Sequence, residues 1–107
     1  MRVLLDECMP RKIRGELPDH HVQTVTQAGW SGVKNGALLN LAATRFDVFL
    51  TVDGSLEYQQ NLVTLPIAVI VLTSFRNDLA SLRPLMPQVR ELLPLVQPGH
   101  LYHIGHL

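Results

Sequence analysis

Six consecutive apolar residues, Ile67-Ala68-Val69-Ile70-Val71-Leu72, constrain this chain more than any other feature. A strand with one wet face alternates polar and apolar side chains, and this one does not. A short, β-branched, unbroken run is what a central parallel strand looks like when helices cover both faces of its sheet. The rest of the chain supplies such a sheet. Val3-Leu4-Leu5 is a second buried run, and Asp47-Val48-Phe49-Leu50-Thr51-Val52-Asp53 a third. His20 to Val25 alternates weakly, as expected of an edge or near-edge strand, and His100 to Ile104 after Gly99 reads as a last strand.

Helical signals fall between these runs. Pro10 suits a first turn, with Ile13 and Leu17 four apart on one face and Pro18-Asp19 closing the segment. AGWSGVKNG is loop chemistry, and Ala37 to Ala43 then repeats apolar residues on one face, with Asn35 placed to cap it. Ser55 can cap a short turn through Glu57, Tyr58, Gln59 and Gln60. Leu79, Leu82, Met86, Val89, Leu92 and Leu93 recur at helical spacing, interrupted by Pro84 and Pro87, which demand a break or kink. Strands alternating with helices predict an α/β fold: a three-layer α/β/α sandwich on a mostly parallel sheet of about five strands, ordered 2-1-3-4-5 with right-handed crossovers. With no repeat or linker, residues 1–107 read as a single domain.

Charge limits the partners. Nine basic residues balance nine acidic ones, so no global field recruits nucleic acid and any such binding rests on a local patch. Only 17% of the residues are charged against 47% hydrophobic, which leaves apolar surface for a partner or for self-association into a homo-oligomer. Cys8 is the single cysteine and cannot pair within the chain. The longest apolar run is far below the roughly 18 residues of a membrane span, and the N-terminus lacks a signal-peptide core. A cytoplasmic protein without membrane association is the expectation.

The chemistry gathers at strand ends. Asp6 and Glu7 follow the first strand and Asp53 follows the third. In open α/β sheets, strand carboxyl ends share one edge, so Asp6 and Asp53 converge if those strands are neighbours. Paired carboxylates suit Mg²⁺ or Mn²⁺, which can activate water against a phosphodiester. The alternative is that both acids merely cap the segments that follow. Arg11, Lys12 and Arg14 form the one dense basic cluster. Cations in a first turn oppose the helix dipole, so helix stability does not place them there; a nucleic-acid backbone contact competes with a merely solvated face. Trp30, on a loop with Lys34, either stacks a base or folds back over the helix layer. The histidines make poor joint ligands: His100 and His103 face opposite sides of a strand, as do His20 and His21, and His106 lies in the tail. Cys8 reads as an inert thiol.

LLDECMP at the start, GWSG-VKNG-ALLNLA in the middle, and VFLTVDGSLEYQQNL with PIAVIVL afterwards resemble the PIN-like domain family related to the VapC-type toxins. The likeness runs from Met1 to about Leu95, and its most specific parts are the LLDE-x-x-P opening and the T-x-D strand end. The resemblance implies a PIN-like fold and a Mg²⁺- or Mn²⁺-dependent ribonuclease. It also implies the toxin half of a toxin–antitoxin pair, inhibited by a small DNA-binding antitoxin. Carried across, Asp6 and Asp53 are the metal ligands; beside them Glu7 is expected to assist through water and Asn35 to hydrogen-bond a metal-bound water. Arg11, Lys12, Arg14, Trp30 and Lys34 then contact RNA. The chain departs from the family pattern at Asn35 and Ser55, where relatives have acids, and at Cys8, where asparagine is usual. A PIN-like binding module without catalysis is therefore the alternative. A phosphoacceptor receiver-like domain also fits Asp6-Glu7, Asp53 and Thr73-Ser74, but needs a lysine after the last strand, and none follows Lys34.

Overall fold

The computed structural model describes residues 1–55 and 62–105. Five strands, β1 (Arg2–Leu5), β2 (His21–Thr24), β3 (Val48–Thr51), β4 (Ala68–Thr73) and β5 (Leu101–Gly105), form one sheet in the order β2-β1-β3-β4-β5, and every pairing is parallel. The helices are α1 (Asn35–Arg45), α2 (Leu79–Leu82) and α3 (Met86–Leu92). Short 3₁₀ segments flank them at Arg11–Glu16, Leu62–Thr64, Arg83–Leu85 and Leu93–Leu95.

Alternation along each strand divides the core in two. Val3, Leu5, Val48, Leu50, Ala68, Ile70 and Leu72 face Ile13 and Leu17 of the first 3₁₀ segment and Leu82, Met86, Val89 and Leu93 of the later helical stretch. Leu4, Phe49, Val69 and Val71 face the other way, under Leu38, Leu39 and Ala42 of α1 and the adjoining Phe46. β4 is apolar throughout because both its faces are covered, as the unbroken run predicts. β2 is the edge strand its weak alternation suggests, with His21 and Gln23 exposed. The Thr24 N–H, which would point off that edge, donates to Gln27 Oε1 at 2.9 Å, and Gln27 N–H returns to Thr24 Oγ1 at 3.1 Å. A side-chain partner thus takes a group that another strand would otherwise use.

Three expectations change. The segment after Pro10 is a six-residue 3₁₀ helix, held by bonds such as Ile13 N–H to Pro10 O and Leu17 N–H to Arg14 O. Between two prolines and around Gly15 it is too short to nucleate an α-helix, yet it still buries Ile13 and Leu17. The N-cap of α1 is Lys34 rather than Asn35, which already occupies the first helical position. The side chain of Asn35, the turn expected at Glu57–Gln60, and His106 lie outside the described residues.

The third change concerns handedness. The β2-to-β3 connection steps across the sheet through α1 on the Leu4–Phe49 face. The β4-to-β5 connection steps in the same direction through α2 and α3 on the opposite, Val3–Leu50 face. Two such connections have opposite hands, so they cannot both follow the right-handed rule. The reason lies in coverage. Among the described residues, the Val3–Leu50 face is covered by the first 3₁₀ segment and the 79–95 stretch. Glu16 ties the two together, its carboxylate ion-paired with Arg83 at 3.5 Å and Arg90 at 3.8 Å, while Arg90 also donates to Glu16 O at 2.9 Å.

Candidate metal and nucleic-acid site

The register of β1 on β3 builds the site. Leu5 lies opposite Leu50, and Asp6 N–H donates to Leu50 O at 3.0 Å, which carries Asp6 alongside Thr51. Thr51 is the one polar residue buried among the described core, with no accessible surface. Its hydroxyl donates to Asp6 Oδ2 at 2.7 Å and accepts from Asp53 N–H at 3.0 Å. One buried oxygen therefore links both acids. Asp6 Oδ1 accepts from Glu7 N–H at 2.8 Å, and Asp53 Oδ1 accepts from Ser55 N–H at 3.0 Å and Ser55 Oγ at 2.6 Å. Asp6 does not cap the first 3₁₀ segment, whose N-cap is Pro10, and the turn expected after Asp53 lies outside the described residues.

Asp6 and Asp53 line one open cleft of about 470 Å³, together with Glu7, Cys8, Gly32 and Val52. An ionised carboxylate has roughly four lone-pair sites, so the bonds just described leave Asp6 with acceptor capacity. Two carboxylates are as many as a Mg²⁺-type ion commonly takes while it keeps its waters. Among the described residues no group of three or more His, Cys, Asp or Glu converges to hold a metal.

Glu7 is drawn to the rim. Its Oε1 accepts from Gly32 N–H at 2.6 Å, and Gly32 has φ of +81°, a conformation glycine adopts without strain. Cys8 is exposed, while its Sγ approaches Asp6 Oδ2 at 3.5 Å. Burial of the sulfur pushes the thiol pKa up, the hydrogen bond to the Val52 backbone works against it, and the Asp6 charge and hydrogen bond add to the rise.

A second cleft, of about 600 Å³, opens on the other side of Asp6 and Glu7 and is lined by Arg11, Lys12 and Arg14 with Thr24 and Gln27. The basic cluster thus stands beside the acids. Among the described residues none of these three cations forms an ion pair. No family model, curated protein or solved structure matches this chain. Its chemistry has to be judged from the site itself.

The other expected contacts are dispersed. Lys34 is exposed at the N-cap of α1 and lines neither cleft. The Trp30 loop reaches the acid edge through Gly32, but the indole is half-buried against the far end of α1. It packs edge-on to Phe46 at 5.9 Å, under the Arg45 guanidinium at 4.8 Å. Of its two readings, the ring takes the one folded over the helix layer. Thr73 and Ser74 line a separate cleft beyond β4, and Ser74 Oγ donates to Ser81 O at 3.2 Å.

Residue-type reasoning missed Thr51 as a functional group, although the T-x-D spacing contains it. Residues two apart on an extended chain share a face, so that spacing was the available signal. It also missed Asn77, whose Nδ2 donates to Cys8 O at 3.2 Å and ties the loop after β4 to the loop after β1. Nothing in sequence links residues 69 apart.

Proposed function

We propose that this chain is a Mg²⁺- or Mn²⁺-dependent ribonuclease of the PIN-like, VapC-related kind. In this reading it is the cytoplasmic toxin half of a toxin–antitoxin pair, with a small DNA-binding antitoxin as partner. The observation that carries the reading is the Thr51 hydroxyl joining Asp6 and Asp53 in a cleft that adjoins Arg11, Lys12 and Arg14. The apolar side chains of Val63 and Leu95, both exposed, offer surface for the antitoxin or a second copy.

Asp6 and Asp53 would hold the ion. When bound, it supplies positive charge for a phosphate oxygen and lowers the pKa of water. The remaining tasks fall to the chain. Thr51 fixes the angle of the Asp6 carboxylate, and Arg11, Lys12 and Arg14 hold the RNA backbone by charge-assisted hydrogen bonds. Glu7, positioned by Gly32, stands beside Asp6 with Oε2 able to accept a proton.

Cleavage of a panel of RNAs with Mg²⁺ or Mn²⁺ tests this directly. Activity is expected, abolished by chelator and reduced about 100-fold or more in Asp6→Asn, the loss of several kcal/mol of charge stabilisation. An Asp6→Asn protein that cleaves like the parent sinks the metal role. A binding module without catalysis is favoured by one observation: Ser55, where relatives have an acid, contributes a hydroxyl that bonds Asp53. That reading expects no cleavage with either ion while RNA or a partner protein still binds.

A further inference from the structure

Past β4 the chain turns through Ser74, Phe75, Arg76 and Asn77 before Asp78 caps α2. Phe75 is 88% exposed, the most exposed large apolar side chain among the described residues. The turn that carries it is anchored at its end: Asn77 Nδ2 bonds Cys8 O at 3.2 Å, and Asp78 Oδ1 accepts Ser81 N–H at 2.8 Å. An aromatic ring is thus held out in water from a pinned segment. A cleft of about 500 Å³ lies under it, lined by Gly54, Thr73, Ser74 and Arg76. This cleft shares Val52 with the Asp6–Asp53 cleft, which in turn shares Asp6 and Glu7 with the basic one.

The three clefts follow the order of the strands along one sheet edge: the basic cleft over β2 and β1, the acids over β1 and β3, and Phe75 beyond β3 and β4. Strands lie about 4.8 Å apart, so the end of β4, which leads into Phe75, stands one spacing from the end of β3 and two from the end of β1, the scale of a nucleotide or two. We propose that Phe75, with Arg76 beside it, is a stacking platform for one unpaired base of a single-stranded nucleic acid. The backbone of that strand runs from Arg11, Lys12 and Arg14 across Asp6 and Asp53. The inference rests on the nucleic-acid reading of the site and adds its specificity element.

Two arguments select this occupant. A duplex hides its base faces within its own stack, so an exposed ring at a groove end can engage only an unstacked base. A protein hot spot centres on an aromatic sealed by a surrounding ring of contacts, whereas Phe75 is 88% exposed and its chain neighbours Ser74, Arg76 and Asn77 are polar or charged. The far end of the same channel carries three cations without ion-pair partners among the described residues.

The test is binding of a fluorescein-labelled eight-nucleotide RNA, single-stranded or as a duplex, to the full chain in EDTA, so that cleavage plays no part. Phe75→Ala should weaken the single strand by about 5- to 150-fold, the range for one stacked base, and leave the duplex nearly unchanged. The side chain is exposed, so unaltered thermal unfolding should accompany the loss. As a direct readout, Phe75→Trp in a Trp30→Phe background should bind like the parent, with its indole fluorescence quenched by the single strand. Parental affinity in Phe75→Ala, or an unquenched indole at saturation, overturns the proposal. So does loss of a co-purifying protein with RNA binding intact, which would make the ring a protein contact. A chain that stacks RNA on Phe75 but cuts none keeps this inference and removes the nuclease reading. Cleavage with parental RNA affinity in Phe75→Ala does the reverse.

Discussion

Thr51 concentrates the chemistry of the site in one hydroxyl. It is fully buried, donates to Asp6 and accepts from Asp53 N–H, so it sets the separation and tilt of two acids from different strands. Valine has nearly the same shape but leaves the Asp53 N–H and one Asp6 oxygen without this partner. Thr51→Val is therefore expected to cost about 1–3 kcal/mol in urea unfolding, the penalty for unsatisfied buried groups. Mn²⁺ affinity should fall about 10- to 100-fold, as when groups that orient metal ligands are removed. Thr51→Ser keeps the hydroxyl and should restore most of the affinity; equal loss in both variants would mean that packing, not the hydrogen bonds, matters. The sequence shows Thr51 as part of T-x-D, yet its bond to Asp6 depends on a pairing between residues 45 apart.

Among the elements, β5 and α2 rest on single residues. Gly105 closes β5 opposite Thr73 with φ of +88°, and a Cβ there would run into the Thr73 carbonyl oxygen and the Leu85 side chain. Gly105→Ala should lose at least about 1–3 kcal/mol from the backbone conformation alone. The melting temperature would then drop by about 4–8 °C for each kcal/mol in a chain of this size. α2 begins at Asp78, whose carboxylate accepts from Ser81 N–H. Hydrogen bonds from the Ser81 side chain and backbone hold the Asp78 carboxyl below its usual 3.8, helped by the charge of Arg76. Its folded pKa is depressed, so the stability it lends is present above the ordinary carboxylate pKa and lost as pH falls through the folded value. Asparagine caps a helix about as well as aspartate but does not titrate. Asp78→Asn should match the parent at pH 7 and lose less stability than the parent between pH 4 and 2, read from urea midpoints; parallel losses would remove the cap from the acid transition. The prolines behave as their positions require: Pro84 and Pro87 each fall in a first turn and divide the 79–95 stretch into short pieces without ending it.

The molecule as a whole carries no net charge, so any grip on RNA has to come from the local cleft of Arg11, Lys12 and Arg14. For single strands, the logarithm of affinity falls with the logarithm of salt by about 0.7 per phosphate neutralised. Replacing all three cations with serine should therefore flatten the slope by about 2 and weaken binding at low salt; an unchanged slope would leave the cluster a solvated face. The fold class and strand order were legible in the sequence because they follow from local signals. An unbroken apolar run must be covered on both faces, weak alternation belongs at an edge, and acids at strand ends share an edge once the strands are parallel. The role of the Thr51 hydroxyl was not read from the sequence, although the T-x-D spacing contains it. Tertiary structure alone decided which way Trp30 folds, that Glu7 reaches Gly32, and that the connection through α1 and the one through α2 and α3 cross the sheet with opposite hands. Each of these is settled by which surface remains to be buried and which partner lies within hydrogen-bond reach, and residues far apart in the chain meet such partners only after the sheet has closed.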